Sequence, residues 1–312
     1  MSHQYLMSDL AKQYVMLQVY NDATRETMLR AARLFDQRSK IKSVDEIDWA
    51  VLSRFRDATL AVAKPVTLNG YIRYLRVLGQ WAHSQGLMSR NWFMDLKLSP
   101  APKATPKALE ISVFYQALAH LDRHADQFKP AWFWKIVVRF FYYTGIRRRQ
   151  LSSLVWGDVD LKAERLKLSY RGSKTLREWD IAIARKLVPE LIYLREESER
   201  VLGRPVSGED PVFNVRLFYS RYKINKKNPG HLTGEQITGL YKRLSVAIGH
   251  RFGVHATRHT VATELCNPAD GSEPDLFSIQ QLLGHTMLST TRGYVSTKVE
   301  TIRRTVEKLQ HI

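Results

Sequence analysis

The stretch WFWKIVVRFFYYTG, Trp132 to Gly145, constrains the fold more than any other part of the chain. Read as a helix it is apolar almost all round, so nearly every face has to be covered by the rest of its own domain. It is too short to span a bilayer, which takes about 20 apolar residues. Lys135 and Arg139 also interrupt it. The arrangement left is a central helix buried inside a largely helical domain. The turn at Gly145 then sets Arg147 just beyond that buried helix.

The flanking sequence supplies the cover. Residues 8–98 repeat apolar positions at threes and fours, as helices do. In PVTLNGYIRYLRVLGQWAHSQG, Leu68, Ile72, Leu75, Leu78 and Trp81 form one stripe, and Gly86 suits a helix stop. Arg73 and Arg76 fall on the opposite face, offered to solvent or to phosphates. The run SPAPKATPK, 99–107, holds three prolines and no periodicity, so it reads as a linker. The domain boundaries are therefore expected at 1–98 and 108–312.

Beyond Asp158 the period changes to two. Leu166, Leu168 and Tyr170 alternate with polar residues, as do Trp179, Ile181 and Ile183, giving two strands joined by a turn with Gly172 and Lys174. Helical patterns return at 186–202, 236–248, 257–266 and 279–283, the second behind a Thr233–Gln236 capping box. The predicted class is mainly α with a small antiparallel β-sheet. Segment 203–230 is the least regular and carries Arg216, Arg221, Lys223, Lys226 and Lys227. It reads either as a basic loop near DNA or as a solvated insertion.

Charge narrows the function. The 312 residues carry a formal net charge of +18, with a pI of about 10.0, and the 44% hydrophobic content is ample for two cores. A soluble protein this basic suits a polyanion, and nucleic acid is the default. The single cysteine, Cys266, excludes a disulfide framework and a cysteine-based zinc site within one chain. The first residues lack the apolar core of a signal peptide. A cytoplasmic protein without a membrane partner is expected.

Four places carry chemistry: TGIRRRQL with Arg147, GSKT with Lys174, HATRH with His255 and Arg258, and LLGHTMLSTTRGY with His285 and Tyr294. Each alone has a bland structural reading. Together they supply two arginines, a lysine, two histidines and a hydroxyl nucleophile, with neither an acidic metal site nor a glycine-rich phosphate loop. That set suits metal-free, cofactor-free attack on a phosphodiester. Guanidinium forks bind the non-bridging oxygens, a phenol near cations becomes the nucleophile, and a lysine protonates the leaving alkoxide.

The same residues resemble the tyrosine recombinase, or phage integrase, family. Its pattern is matched in order by Thr144-Gly145-Ile146-Arg147, Lys174, His255-x-x-Arg258, Leu283-Gly284-His285, and Tyr294 nine residues on. The resemblance covers about the last 200 residues, and less specifically the N-terminal helices. It implies an N-terminal helical core-binding (SAM-like) domain and a C-terminal DNA breaking-rejoining domain, together a C-shaped clamp of the simpler two-domain, Xer-like or mobile-element plan. By resemblance His285 helps hold the scissile phosphate and Tyr294 attacks it. Ser289 and Thr290 are expected to cap the helix between them. The resemblance further implies double-stranded DNA with inverted-repeat core sites, a tetramer on two sites built through a C-terminal tail helix over 296–312, and a possible accessory or directionality protein. Arg148, Arg149 and Arg171 are candidate DNA contacts, and Lys174 rather than Arg171 fits the hairpin lysine. Gln150 departs from the acidic residue often found three positions after the first arginine. A type IB topoisomerase-like enzyme, a telomere resolvase and a non-cleaving DNA-binding module are the competing readings.

Overall fold

A computed structural model describes residues 5–100, 108–170, 177–226, 228–295 and 306. The chain divides into two compact units, Met1–Ala104 and Thr105–Ile312. Three expectations fall partly or wholly outside the described residues: most of the proline-rich linker, the hairpin tip with Arg171 and Lys174, and the tail beyond Val295, of which only the exposed Val306 is described.

The first unit packs four helices: α1 (Met7–Leu17), α2 (Asp22–Ser39), α3 (Trp49–Leu60) and α4 (Pro65–Ser84). Their starts are specified locally. Asn21 accepts from the Thr24 N–H at 3.0 Å, Asp48 from the Val51 N–H at 2.8 Å, and Pro65 opens α4. The first turn of α1 is capped instead from α2, where the Asp36 carboxylate accepts from the Met7 and Ser8 N–H groups at 3.1 and 2.9 Å. The predicted stripe of α4 is the core face: Leu68, Ile72, Leu75 and Leu78 are buried, and Trp81 packs at its edge. Arg73 is exposed, as expected. Arg76 corrects the reading. Its guanidinium donates to the carbonyls of Phe93 and Leu96, so it pins the segment after α4 instead of offering itself to phosphates.

The second unit is built round α6 (Ala131–Thr144), preceded by α5 (Ile111–Arg123). Phe133, Trp134, Val137, Val138, Phe140 and Phe141 are fully enclosed. The two charges in α6 find partners at the margin, Lys135 with Asp122 at 2.6 Å and Arg139 with Glu190 at 2.5 Å. After α7 (Arg148–Ser153) comes an antiparallel sheet of β1 (Val159–Asp160), β2 (Arg165–Leu168) and β3 (Trp179–Ala182), in that order. Leu166 pairs with Ile181 and Leu168 with Trp179, so the alternation read from sequence faces the core as far as Leu168, where the strand ends; Tyr170 is exposed. The third strand, β1, is too short to show a period.

The remaining helices are α8 (Val188–Leu202), α9 (Val215–Phe218), α10 (Gly234–Ala247), α11 (Val254–Cys266), α12 (Leu276–Leu283) and α13 (Leu288–Arg292). Two begin three residues earlier than periodicity indicated. Asp275 caps α12 through the Phe277 and Ser278 N–H groups. Segment 203–230 fits neither of its two readings in its first half. Val212, Phe213 and Val215 are buried in the core, and Arg204 holds Asp210 through two bonds of 2.7 and 3.0 Å. Arg216 donates to the Tyr222 carbonyl, whereas Arg221, Lys223 and Lys226 are exposed. Lys227 lies outside the described residues. Among the described residues no helix is long and apolar enough to cross a membrane.

Candidate active site

Two glycine turns build the floor of the site. Gly145 closes α6 and Gly284 closes α12, both in the left-handed conformation, at φ +60° and +59°. They also stand where side chains would collide: a Cβ on Gly145 would lie 2.9 Å from Leu283, and one on Gly284 only 2.3 Å from the Trp179 ring. The carbonyls at these turns aim at two guanidiniums. Arg258, buried on α11, donates to the Gly145 carbonyl at 2.6 Å and to that of Leu283. Arg147, at the N-cap of α7, donates to the Gly284 carbonyl at 3.1 Å.

Gln150 sets the backbone of Arg147. Its Oε1 accepts the Arg147 N–H at 2.7 Å, a job a carboxylate also performs at a helix start. Its Nε2 is buried with no partner. Gln150 therefore keeps the positioning contact and leaves the guanidinium without a negative neighbour from this position.

The segment after α12 carries the other groups. His285 Nδ1 lies 2.9 Å from Thr291 Oγ1, and the imidazole stacks on the Tyr294 ring, with 6.1 Å between centroids and 7° between planes. Asn267 holds the Tyr294 carbonyl at 2.9 Å. The expected caps are corrected here. Ser289 and Thr290 lie inside α13, whose N-cap is Met287 without a side-chain bond. The residue that works is Thr291, fully buried against His285. The Tyr294 hydroxyl meets His259 Nδ1 at 2.6 Å.

Burial and nearby cations decide the protonation states. Burial, then Arg147, pulls Arg258 down to about 9, still cationic at neutral pH. Arg147 is lowered by burial, with Tyr294 opposing. Burial, then Arg258, Arg147 and His259, takes His285 to about 4, so it is neutral. His259 is lowered by burial, then by His255 and Arg258. Tyr294 is raised by burial even though Arg258 and Arg147 pull the other way. Nearby cations favour a phenolate, but desolvation wins and Tyr294 rests as a phenol.

Arg147, Arg258, His285 and Tyr294 thus converge from three separate parts of the chain. His255 lies on the exposed side of α11 and meets the ring of His259 edge-on at 4.3 Å. Arg148 is exposed and leans on α10, bonding the Gly234 carbonyl and the Thr238 hydroxyl; Arg149 is exposed. A cavity of about 660 Å³ opens beside the centre, lined among others by Arg147, Arg148, Arg149, Lys242, His255 and Arg258. Such a wall suits a polyanion. No group of three or more His, Cys, Asp or Glu able to hold a metal occurs among the described residues. Sequence reasoning missed Thr291, Lys242 and His259. For His259 the signal was present, since it follows His255 by four residues and so shares its helix face.

Residues 114–300 match the model of the phage integrase family. A Pseudomonas syringae protein with the provisional name tyrosine recombinase XerC is 28% identical over 275 residues, covering 85% of this chain and 54% of that protein. The chain thus spans about half the length of that relative. The Mycobacterium bovis tyrosine recombinase XerC is 25% identical over 294 residues, 91% of this chain and 93% of that one. Among solved structures, the Tn1549 transposon integrase in complex with transposon right end DNA superposes with a TM-score of 0.75 at 16% identity, over 98% of this chain and 99% of that one. That last likeness is one of fold.

The Gly284 turn gives a direct test. Gly284→Ala combines a left-handed backbone with a collision against Trp179, so it should lower stability by about 1–3 kcal/mol. Denaturant unfolding followed by tryptophan fluorescence measures this. An unchanged midpoint would show that the turn and the ring do not depend on each other.

Proposed function

The chain belongs to the phage integrase family, and on that premise we propose that it is a site-specific DNA recombinase. The observation that carries the reading is the Tyr294 hydroxyl held in one site with Arg147, Arg258 and His285. Each guanidinium has five N–H donors. The carbonyl bonds described use one on Arg147 and two on Arg258. Others remain to grip the non-bridging oxygens of a phosphodiester and to stabilise the charge of a five-coordinate transition state. A neutral His285, with Nδ1 engaged by Thr291, offers Nε2 to the same phosphate.

In this reading Tyr294 Oη attacks phosphorus, the bond to the 5′-oxygen breaks, and a 3′-phosphotyrosyl link and a 5′-hydroxyl result. The 5′-hydroxyl of a partner duplex then attacks that link and releases the tyrosine. Two rounds pass through a Holliday junction without external energy, because the phosphoester bond is conserved in the covalent intermediate. The substrate is double-stranded DNA with inverted-repeat core sites, met in the cytoplasm. Arg73, Arg148 and Arg149, all exposed, are proposed backbone contacts; His255 is proposed as a further catalytic group, and Arg171 as a further DNA contact on its sequence position alone. An accessory or directionality protein would act on this same assembly.

Tyr294→Phe should bind such DNA normally and form no covalent adduct on a nicked duplex, resolved on a denaturing gel, and wild-type cleavage should survive EDTA. An adduct from the variant would move the nucleophile elsewhere; activity that chelation abolishes and magnesium restores would sink the side-chain mechanism.

We assign Lys174 as the acid that protonates the leaving 5′-oxygen. Lys174→Ala should slow cleavage by about 10²–10⁴-fold. A substrate with sulfur at the bridging 5′ position leaves without a proton and should recover most of that rate. Equal slowing on both substrates would make charge stabilisation the role, or pass it to Arg171.

Tetramer formation on two sites is assigned to the tail over 296–312, on its sequence pattern: Val299, Ile302, Val306 and Leu309 recur at helical spacing. A protein lacking residues 298–312 should hold a half-site normally yet lose cooperative occupancy of a full site and strand exchange, seen by gel-shift titration. Loss of half-site binding would show that the tail serves its own domain.

A further inference from the structure

The two histidines on one face of α11 stand differently to the nucleophile. His255 is exposed and meets the ring of His259. His259 is half-buried, and its Nδ1 is the atom that meets Tyr294 Oη, at 2.6 Å. The charged and titratable groups that act on His259 or on its partner phenol are His255 and Arg258 on α11, His285 after α12, Tyr294 after α13, Arg147 at the start of α7, and the buried Cys266 thiol. The groups acting directly on His259 disfavour its protonation, so at neutral pH the imidazole keeps a lone pair. Tyr294 keeps its proton because of burial. The bond therefore runs from the phenol O–H to Nδ1, with the imidazole proton on Nε2. A buried phenol that starts protonated needs an acceptor when it attacks, and the hydrogen-bond partner is already in place.

We propose that His259 is the proton acceptor for Tyr294, a catalytic residue additional to the six expected from sequence. This rests on the recombinase reading. As the Oη–P bond forms and the P–O5′ bond breaks, the oxygen loses its basicity and the phenol proton passes to Nδ1. The departing 5′-oxygen takes its proton from the acid assigned above. When a 5′-hydroxyl later attacks the phosphotyrosyl link, its proton returns to that acid, and Oη leaves and takes its proton back from the His259 imidazolium. The imidazolium forms beside Arg258, which drives that return.

His259→Asn is the informative variant. It places an amide oxygen near the position of Nδ1, so it keeps a hydrogen-bond acceptor and removes the base. The probe is a nicked duplex carrying the site that the wild-type protein selects from random-sequence DNA. The expected result is unchanged DNA affinity with covalent-adduct formation slowed by about 10²-fold or more. The pH profile adds a readout that a structural role would not move. Wild-type cleavage should fall as pH drops through the folded value of His259, below its ordinary 6.5, because the protonated ring cannot accept; His259→Asn should lack that limb. A variant with wild-type rate and profile overturns the proposal. So does a His259→Ala protein that cleaves faster than wild type, which would make the bond a restraint, or loss of the acid limb in His255→Asn alone. A DNA-free arm separates this from the wider reading. In ¹⁵N-histidine NMR at pH 7, His259 should carry its proton on Nε2, with an Nδ1 signal that shifts in Tyr294→Phe. A proton on Nδ1 overturns the assignment, whereas wild-type protein that binds its DNA and forms no adduct overturns the recombinase reading instead.

Discussion

Arg258 is a buried cation held by carbonyl oxygens, and the rest of the site follows from it. Removing a guanidinium from water is expensive unless its N–H groups find acceptors. Here the Gly145 and Leu283 carbonyls accept. These carbonyl dipoles satisfy two of the donors without neutralising the charge. The positive field is therefore left for other groups, adding to the burial that holds His285 neutral and opposing the desolvation that keeps Tyr294 protonated. A carboxylate partner would have given similar burial and cancelled the field. The acceptors can reach Arg258 only because α6 and α12 end at this point, which ties two helix stops to the electrostatics of the centre.

The central helix was legible because its composition admits only one environment, and the sheet because Leu166, Leu168 and Ile181 alternate cleanly. The residues converging on Tyr294 were legible from spacing and resemblance, since TGIR, HATR and LGH each mark the end or the inward face of a helix. Periodicity failed where a side chain's destination is set by tertiary contacts. Arg76 sits opposite the apolar stripe of α4, yet the chain returns past it and presents two carbonyls. Segment 203–230 lacks a period because Val212 and Phe213 enter the core from irregular backbone and Val215 from a single short turn of helix. Ser289 and Thr290 look like caps by residue type, but the helix starts at Leu288 behind Met287 and buries Thr291 instead.

Two histidines stand near one tyrosine in unlike ways. His285 is gripped by Thr291 and stacks on the tyrosine ring, which fixes its plane. His259 touches the hydroxyl itself. Both are lowered by burial first and by Arg258 in addition, so their difference lies in geometry and not in charge. A residue inventory counts them alike, and only the direction in which each nitrogen points separates them.

The short path from His285 to Tyr294 behaves as an interlock. Within ten residues, α13 ties one end of the segment to the other, because Thr291 is bonded to His285 and lies one turn before the tyrosine. A movement that withdraws Tyr294 together with α13 carries Thr291 along and releases His285. The Tyr294 phenol and the His285 imidazole are thus coupled through one buried hydroxyl, that of Thr291.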